Sequence, residues 1–330
     1  PRLVTLGYDV TGLDTGYYRD GNLCHHHGEF FPQIINKDLR LITAKDLEGF
    51  DAVIHLAELS NDPLGEYIQD VTYDINHAGS VKLAENSKKA GVKKFIYTSS
   101  CSVYGVGNEA IRTEKSGVNP QTAYARCKVM VEHDVAELAD KNFSPTFLRN
   151  ATAYGISPRM RFDIVLNNLA GLAWTTGVIK LLSDGTPWRP IVHIRDISKA
   201  IECVLQAPPE ITHNQIFNVG DTGENFQIKE IAEAVAEEFP NCALTIGKSE
   251  GDNRSYRVSF DKINAQLPGF QCQMNLKTGA KELKDLFKRI ELDKSIFNFR
   301  AFTRLKQIKY LMDSNQVDEN LFWEKTNTKS

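Results

Sequence analysis

Short apolar runs alternate with stretches of helical spacing through the first half of the chain, and this alternation limits the fold more than any other feature. Residues 8–14 read as a strand ending in Asp14, and 51–57 (Asp-Ala-Val-Ile-His-Leu-Ala) as a buried strand. Residues 94–99 (Lys-Phe-Ile-Tyr-Thr-Ser) form the next strand, and another starts at Ser144. Between them, residues 76–90 place Ala78, Val81, Leu83 and Ala84 on one helical face and stop at Gly91, a natural helix terminator. A further helix spans about 122–141. Strands separated by helices predict an α/β, doubly wound parallel sheet with helices on both faces. Such sheets bind ligands beyond the carboxyl ends of their strands. Asp14, Ala57, Ser100 and the residues after Leu148 all fall on that edge.

The second half is more mixed. A helical piece lies near 164–173, short strands at 190–194 and 216–220, and helices at 197–206 and 228–239. Residues 278–322 read as mostly helical and polar. The division expected is a first domain over 1–155 and a smaller α/β substrate-binding lobe over 156–330, with 190–220 returning to the first domain.

Tyr124 and Lys128 carry the chemistry. Positions i and i+4 share a helix face, and a nearby ammonium favours the phenolate. Ser100 ends the strand upstream, in Thr98-Ser99-Ser100-Cys101-Ser102-Val103-Tyr104-Gly105. A hydroxyl there can hold a substrate oxygen against the phenol, which makes a proton-transfer device for alcohol–ketone chemistry. The pair by itself also occurs on ordinary surface helices; the serine-rich strand end makes the set more specific.

Asp14 at a strand end can accept both ribose hydroxyls of an adenosine and would repel a 2′-phosphate, favouring NAD over NADP; the plainer alternative is a turn cap. Asp38, before Leu39 and Arg40, can hold an adenine amino group or simply sit on the surface. The small Ala57 lets a dinucleotide approach the backbone. His55 reads as a satisfied core histidine, and Cys101 as a small apolar filler. Cys24, His25, His26 and His27 are adjacent and cannot all face one ion on a regular element, so no metal site is expected. Asn168, Arg189 and Arg254 are candidates for gripping a diphosphate, since arginine offers a bidentate fork. The basic stretch Lys294, Arg300, Arg304, Lys306 and Lys309 reads as a packed amphipathic tail.

These pieces together resemble the extended short-chain dehydrogenases, in particular the nucleotide-sugar epimerase and dehydratase family. The matching segments are Gly12-Leu13-Asp14, Asp38-Leu39-Arg40, 51–57 including Leu56 and Ala57, Asn76-x-x-Gly79, Ser99 to Gly105, Tyr124-x-x-x-Lys128, Asn167-Asn168-Leu169, Arg189 to Asp196, and Phe217-Asn218-Val219-Gly220. They follow the family's order up to about Asp261. The resemblance implies a Rossmann-type fold with NAD along the sheet edge. It implies that Tyr124 is the acid/base, that Lys128 binds the nicotinamide ribose and lowers the pKa of Tyr124, and that Ser100 holds the same sugar oxygen. It further implies that Asn76 supports the active-site backbone and that Asn168, Arg189 and Arg254 grip the substrate diphosphate. The activity implied is NAD-dependent epimerisation of a nucleotide-diphosphate sugar through a transient keto-sugar. The alternatives are a 4-reductase, a 4,6-dehydratase, or a non-catalytic dinucleotide-binding protein.

Three departures matter. The chain starts at Pro1-Arg2-Leu3, in what resembles the tail of the family's first helix, so the glycine-rich pyrophosphate turn is not in it; the 330 residues are expected to bind NAD weakly or not at all. Cys101 and Ser102 stand where 4,6-dehydratases have Asp-Glu, which lowers that reading. Residues 150–155 (Asn-Ala-Thr-Ala-Tyr-Gly) lack the family's aromatic-Asn pattern, so the nicotinamide pocket is expected to be shaped differently.

Bulk properties fit this. A formal charge of -3 and a pI near 6.3 argue against a nucleic-acid partner. Six scattered cysteines without a C-x-x-C pair suit a reduced, cytoplasmic setting. No apolar run reaches the roughly 18 residues that a membrane span needs, and no signal peptide is visible. Relatives commonly pair through two helices per subunit, so a homodimer using the Tyr124 helix is the expected assembly.

Overall fold

A computed structural model describes residues 1–23, 32–106, 111–249 and 254–324. Cys24, His25, His26 and His27 lie outside the described residues. The strands, in chain order, are β1 Thr11–Asp14, β2 Gln33–Asn36, β3 Ala52–His55, β4 Lys94–Ser100, β5 Ser144–Asn150, β6 Thr152–Tyr154, β7 Val178–Ser183, β8 Trp188–His193, β9 Gln215–Val219, β10 Asn225–Gln227 and β11 Ala243–Ser249.

The centre is a four-stranded parallel sheet in the order β3-β4-β5-β9. Alternation along the strands sends side chains to opposite faces. Ile96, Leu148 and Phe217 pack on Ile197, Ala200, Ile201 and Val204 of the helix Ile194–Gln206. Phe95, Tyr97 and Phe147 face the other way, against Leu83 and Ala84 of Ser80–Lys89 and Val131 and Val135 of Ala123–Ala136. Both faces are thus covered by helices, as the strand–helix alternation implies. β1 and β2 form a separate parallel ladder, which among the described residues is not hydrogen-bonded to β3.

The lobe holds two small sheets. β8 runs between β6 (parallel) and β10 (antiparallel), and β7 pairs with β11 in parallel. Its core joins Phe162, Leu166 and Ile179 to Ile231 and Val235 of Ile228–Glu238 and to Leu283 and Phe287 of Leu276–Arg289. The last segment folds back on the start. Ile308, Leu311, Val317 and Leu321 are buried with Tyr17 and Leu39, and Trp323 Nε1 donates to the Thr15 carbonyl at 2.6 Å. The basic stretch is therefore part of a packed tail.

Two details differ from the sequence reading. The helix expected over 76–90 begins as a wide π-helical turn, Asp74–Gly79, before Ser80–Lys89. A side chain at Gly79 would place its Cβ 2.6 Å from Leu39 Cδ1, so Leu39 would have to shift to admit it. The strand expected at 190–194 is β8, which joins the lobe's sheet, whereas β9 joins the central one.

Candidate active site

The carboxyl end of β4 and the start of the helix Ala123–Ala136 meet at the site. Thr122 caps that helix, its hydroxyl accepting from Ala125 N at 3.2 Å and donating to Asp62 Oδ1 at 2.6 Å. Glu66 Oε1 accepts from Ala123 N at 2.8 Å. Two carboxylates thus hold the helix N-terminus, where the backbone dipole favours negative charge. Tyr124 stands one residue inside the first turn and keeps part of its surface exposed. The Ser100 side chain favours the ionised form of the Tyr124 phenol. Ser100 sits in extended backbone at the end of β4 and accepts from Ser102 N at 3.1 Å. Gly105, at φ 58, turns the chain away; a Cβ there would lie 1.8 Å from the Asn119 carbonyl oxygen.

Lys128 lies one turn further on and is buried. Its Nζ sits 5.4 Å from the Tyr124 ring centroid and 4.5 Å from that of Tyr97. It donates to the Thr98 carbonyl and stands 2.7 Å from Glu58 Oε2. Tyr97 donates its hydroxyl to the other carboxylate oxygen, Glu58 Oε1, at 2.5 Å. Burial opposes the Lys128 charge, but the Glu58 carboxylate and the Tyr124 phenol outweigh it, and the lysine pKa is raised. Lys128 acts on the Tyr124 pKa in the expected direction but does not set the net shift. Lys128 does pull it down, but burial, Glu58 and Asp62 pull harder the other way, and the phenol stays above its ordinary value.

The other expected residues differ in what holds them. Asn76 is fully buried; its amide accepts from Leu59 N at 2.8 Å and donates to Leu59 O at 3.1 Å, clamping the backbone that follows β3. Leu56 is 61% exposed at the end of β3, with Ala57 next to it, so the strand end is open to a ligand. Asp14 is half exposed at the end of β1, where its carboxylate accepts from Gly16 N at 2.6 Å and from Arg159 Nη1 at 2.8 Å. Asp38 is committed to its own turn: Arg40 donates to it through N, Nε and Nη2 at 2.8, 3.0 and 2.7 Å. Leu39 is buried in the core shared with the tail.

On the substrate side, Arg189 donates to the Trp188 carbonyl at 2.8 Å and to the Arg254 carbonyl, and it lies over the Tyr256 ring at 5.4 Å. Arg254 pairs with Asp62 and so reaches the cap of the Tyr124 helix. Asn168 is placed otherwise, on the helix Val165–Thr176, with its amide donating to the Phe162 carbonyl at 2.8 Å.

Sequence reasoning missed Glu58, Asp62, Tyr97 and Asn150. Asn150 ends β5 in register with Ser100, and its buried Oδ1 accepts no hydrogen bond among the described residues. His55 and Cys101 take plain roles. His55 Nε2 meets Ser80 Oγ at 2.7 Å, and burial drives its pKa down to about 3. The Cys101 thiol donates to the Arg149 carbonyl at 3.1 Å, and burial pushes its pKa well up.

Known proteins resemble this chain in sequence and in fold. The chain is 29% identical over 267 residues to the UDP-glucose 4-epimerase of Bacillus subtilis, covering 70% of this chain and 75% of the relative. It is 26% identical over 296 residues to a putative UDP-glucose 4-epimerase of Methanocaldococcus jannaschii, covering 87% and 93%. The fold matches the Thermotoga maritima UDP-glucose 4-epimerase crystallised with UDP-glucose, with a TM-score of 0.74 at 21% identity over 88% of this chain and 94% of that one. It also matches an NAD-dependent NDP-hexosamine 5,6-dehydratase of tunicamycin biosynthesis, with a TM-score of 0.74 at 20% identity over 87% and 92%. The family model described as the NAD dependent epimerase/dehydratase family covers residues 1–220. The chain belongs to that family, the NAD-dependent epimerases and dehydratases.

Proposed function

We propose that this protein is an NAD-dependent epimerase acting on a nucleotide-diphosphate sugar through a transient keto-sugar. The observation that carries the reading is the Tyr124–Lys128 pair on one helix face, with Lys128 Nζ 5.4 Å from the Tyr124 ring centroid and Ser100 at the adjoining strand end. Relatives named as UDP-glucose 4-epimerases support it.

The residues present fit the nicotinamide end of NAD. Asn150 Oδ1 is a buried acceptor without a donor, across from Ser100, and suits a carboxamide N–H. Among the described residues Lys128 makes one hydrogen bond, to the Thr98 carbonyl, and so keeps N–H capacity that suits a ribose hydroxyl. Asp14 would serve the adenosine ribose. Bound NAD supplies the acceptor for a hydride and its return. The chain's own residues handle the proton. Ser100 holds the sugar oxygen in line with the phenol; Tyr124 Oη takes the hydroxyl proton as the ketone forms and gives it back when the alcohol is restored. Lys128 stabilises the phenolate that takes up the proton and that is restored when the proton is returned. Arg189 and Arg254 would bind the diphosphate and let the sugar turn about that anchor.

Elimination of water is disfavoured. A buried thiol bonded to a main-chain carbonyl, Cys101, stands where an acid would be required, and its pKa is raised, not lowered.

Of the division into a cofactor domain over 1–155 and a substrate lobe over 156–330, with 190–220 returning, the return is supported from Ile194 onward, by Ile194–Gln206 packed on the central sheet and β9 within it, whereas β8 lies in the lobe's sheet. Five free cysteines among the described residues support a reducing, cytoplasmic setting. No helix among the described residues is long and apolar enough to cross a membrane. A homodimer through the Tyr124 helix is supported by the exposed Met130 on it.

The test is product analysis with NAD⁺ and UDP-sugars. C4 epimers should interconvert without net NADH absorbance, and Tyr124→Phe should lose on the order of 10³-fold in turnover while remaining folded. Full activity in the Phe variant, or net reduction of NAD⁺, would overturn the reading.

A further inference from the structure

The Tyr–Lys pair in this chain contains a third ionisable member. Glu58 follows β3 by three residues, and its side chain is only 2% exposed. Both of its oxygens face donors: Oε1 receives the Tyr97 hydroxyl at 2.5 Å and Oε2 lies 2.7 Å from the Lys128 ammonium. Burial raises the Glu58 pKa, and the Lys128 ammonium at 2.7 Å and the Tyr97 hydroxyl act against it in favour of the carboxylate. Lys128 is held from three sides, by Glu58, by the Thr98 carbonyl and by the ring face of Tyr97. A lone lysine on a four-carbon stem has no such fixed position.

We propose that Glu58 is a positioning residue of this site: its carboxylate anchors the Lys128 ammonium and, through it, governs the proton of Tyr124. The inference rests on the epimerase reading for its catalytic meaning, but not for its geometry.

The charges around the phenol come from four elements. Lys128 is on the Tyr124 helix and favours ionisation; Glu58 after β3 and Asp62 oppose it; Ser100 at the end of β4 favours it. Glu132 on the same helix acts on Lys128 and Tyr97, but is itself taken by Arg149, with Nη2 at 2.6 Å from Oε2. Asp62 is paired with Arg254. His55, on β3, stays neutral. The Cys127 thiol faces the same pair, and burial pushes its pKa up to about 12. Glu58 is therefore the one carboxylate among these that pairs with Lys128 directly. It offsets the cation that would otherwise ionise Tyr124, and it fixes the ammonium so that the remaining effect is reproducible from one turnover to the next.

The test is a spectroscopic titration of Tyr124 in the full chain without substrate. The phenolate absorbance is followed against pH, and Tyr124→Phe identifies its component. In Glu58→Gln the Tyr124 midpoint should fall by about one pH unit or more, because Lys128 is no longer offset. The acid limb of the pH–rate profile should move down with it. A residue that only held the fold together would lower stability and leave both midpoints in place. A folded Glu58→Gln protein whose Tyr124 midpoint is unchanged would overturn the proposal. If that variant does not fold, Glu58→Asp keeps the charge and withdraws it by one methylene; a fall of roughly half a unit is expected, and an unchanged midpoint overturns the proposal equally. The titration needs no substrate, so its failure leaves the epimerase reading standing, and failure of the product assay leaves the titration result intact.

Discussion

Arg254 forms an ion pair with Asp62 across 192 positions of sequence, and the same carboxylate accepts the Thr122 hydroxyl at 2.6 Å. The pair links the late, substrate-side part of the chain to the cap of the helix that carries Tyr124. An arginine in that place can exchange a carboxylate for a diphosphate without moving far. Arg254→Gln should raise KM for a nucleotide sugar by about 10- to 100-fold with a smaller change in kcat, since the anchor binds ground and transition states alike. Steady-state kinetics check this. A fall in kcat with KM unchanged would instead place Arg254 in the proton-transfer machinery.

His55 makes acid stability predictable. Its folded pKa is near 3, against 6.5 for an ordinary histidine, because burial disfavours the cation and Lys128 adds to the effect. The unfolded chain therefore takes up a proton that the folded chain refuses. Stability from this group is fully present above pH 6.5 and is lost progressively as pH falls toward 3. The loss should amount to about a few kcal/mol. Urea unfolding of His55→Gln at several pH values should show a flatter decline over that window than the unchanged protein.

Where the sequence was legible, local chemistry was enough. Tyr124 and Lys128 lie four apart after an N-cap threonine, and the alternation along β4 and β5 reports burial on both faces. What was not legible depends on contacts between distant positions. Glu58 reads as an ordinary polar residue after a strand, because its partners, Tyr97 and Lys128, are far along the chain. Asp62 looks like a helix-start residue until Arg254 is seen beside it. Asp38 looked able to reach a ligand, but its short side chain is satisfied by Arg40 two positions on. β7 and β11 escaped notice because they form a two-stranded ladder with exposed positions such as Leu182 and Ile246, which blurs any burial pattern.

Asn76 is a small residue with a large expected effect. It satisfies both the N–H and the C=O of Leu59 in a site closed to water. Asn76→Ala leaves both groups unpaired, which should cost about 2–4 kcal/mol by chemical denaturation. Asn76→Asp, which keeps an acceptor for Leu59 N but cannot donate as a carboxylate, should be at least as harmful near neutral pH and partly recover on acidification. Equal stability of all three proteins would show that the β3 loop is held by other contacts.

Asn150 sets stability against binding. Its buried Oδ1 accepts no hydrogen bond among the described residues, and the residue lies between Ser100 on one side and Val219 on the other in the sheet register. An unsatisfied buried acceptor costs roughly 1–3 kcal/mol. Removing it offsets the small cavity that a shorter side chain leaves. Asn150→Ala should therefore unfold at the same temperature as the unchanged protein or a few degrees above it. If that oxygen serves the nicotinamide carboxamide, the same change should weaken NAD⁺ binding about 5- to 10-fold, the worth of one hydrogen bond. Thermal unfolding and calorimetric titration on one preparation separate the two effects. A destabilised variant with unaltered NAD⁺ affinity would make Asn150 a packing residue and remove it from the cofactor pocket.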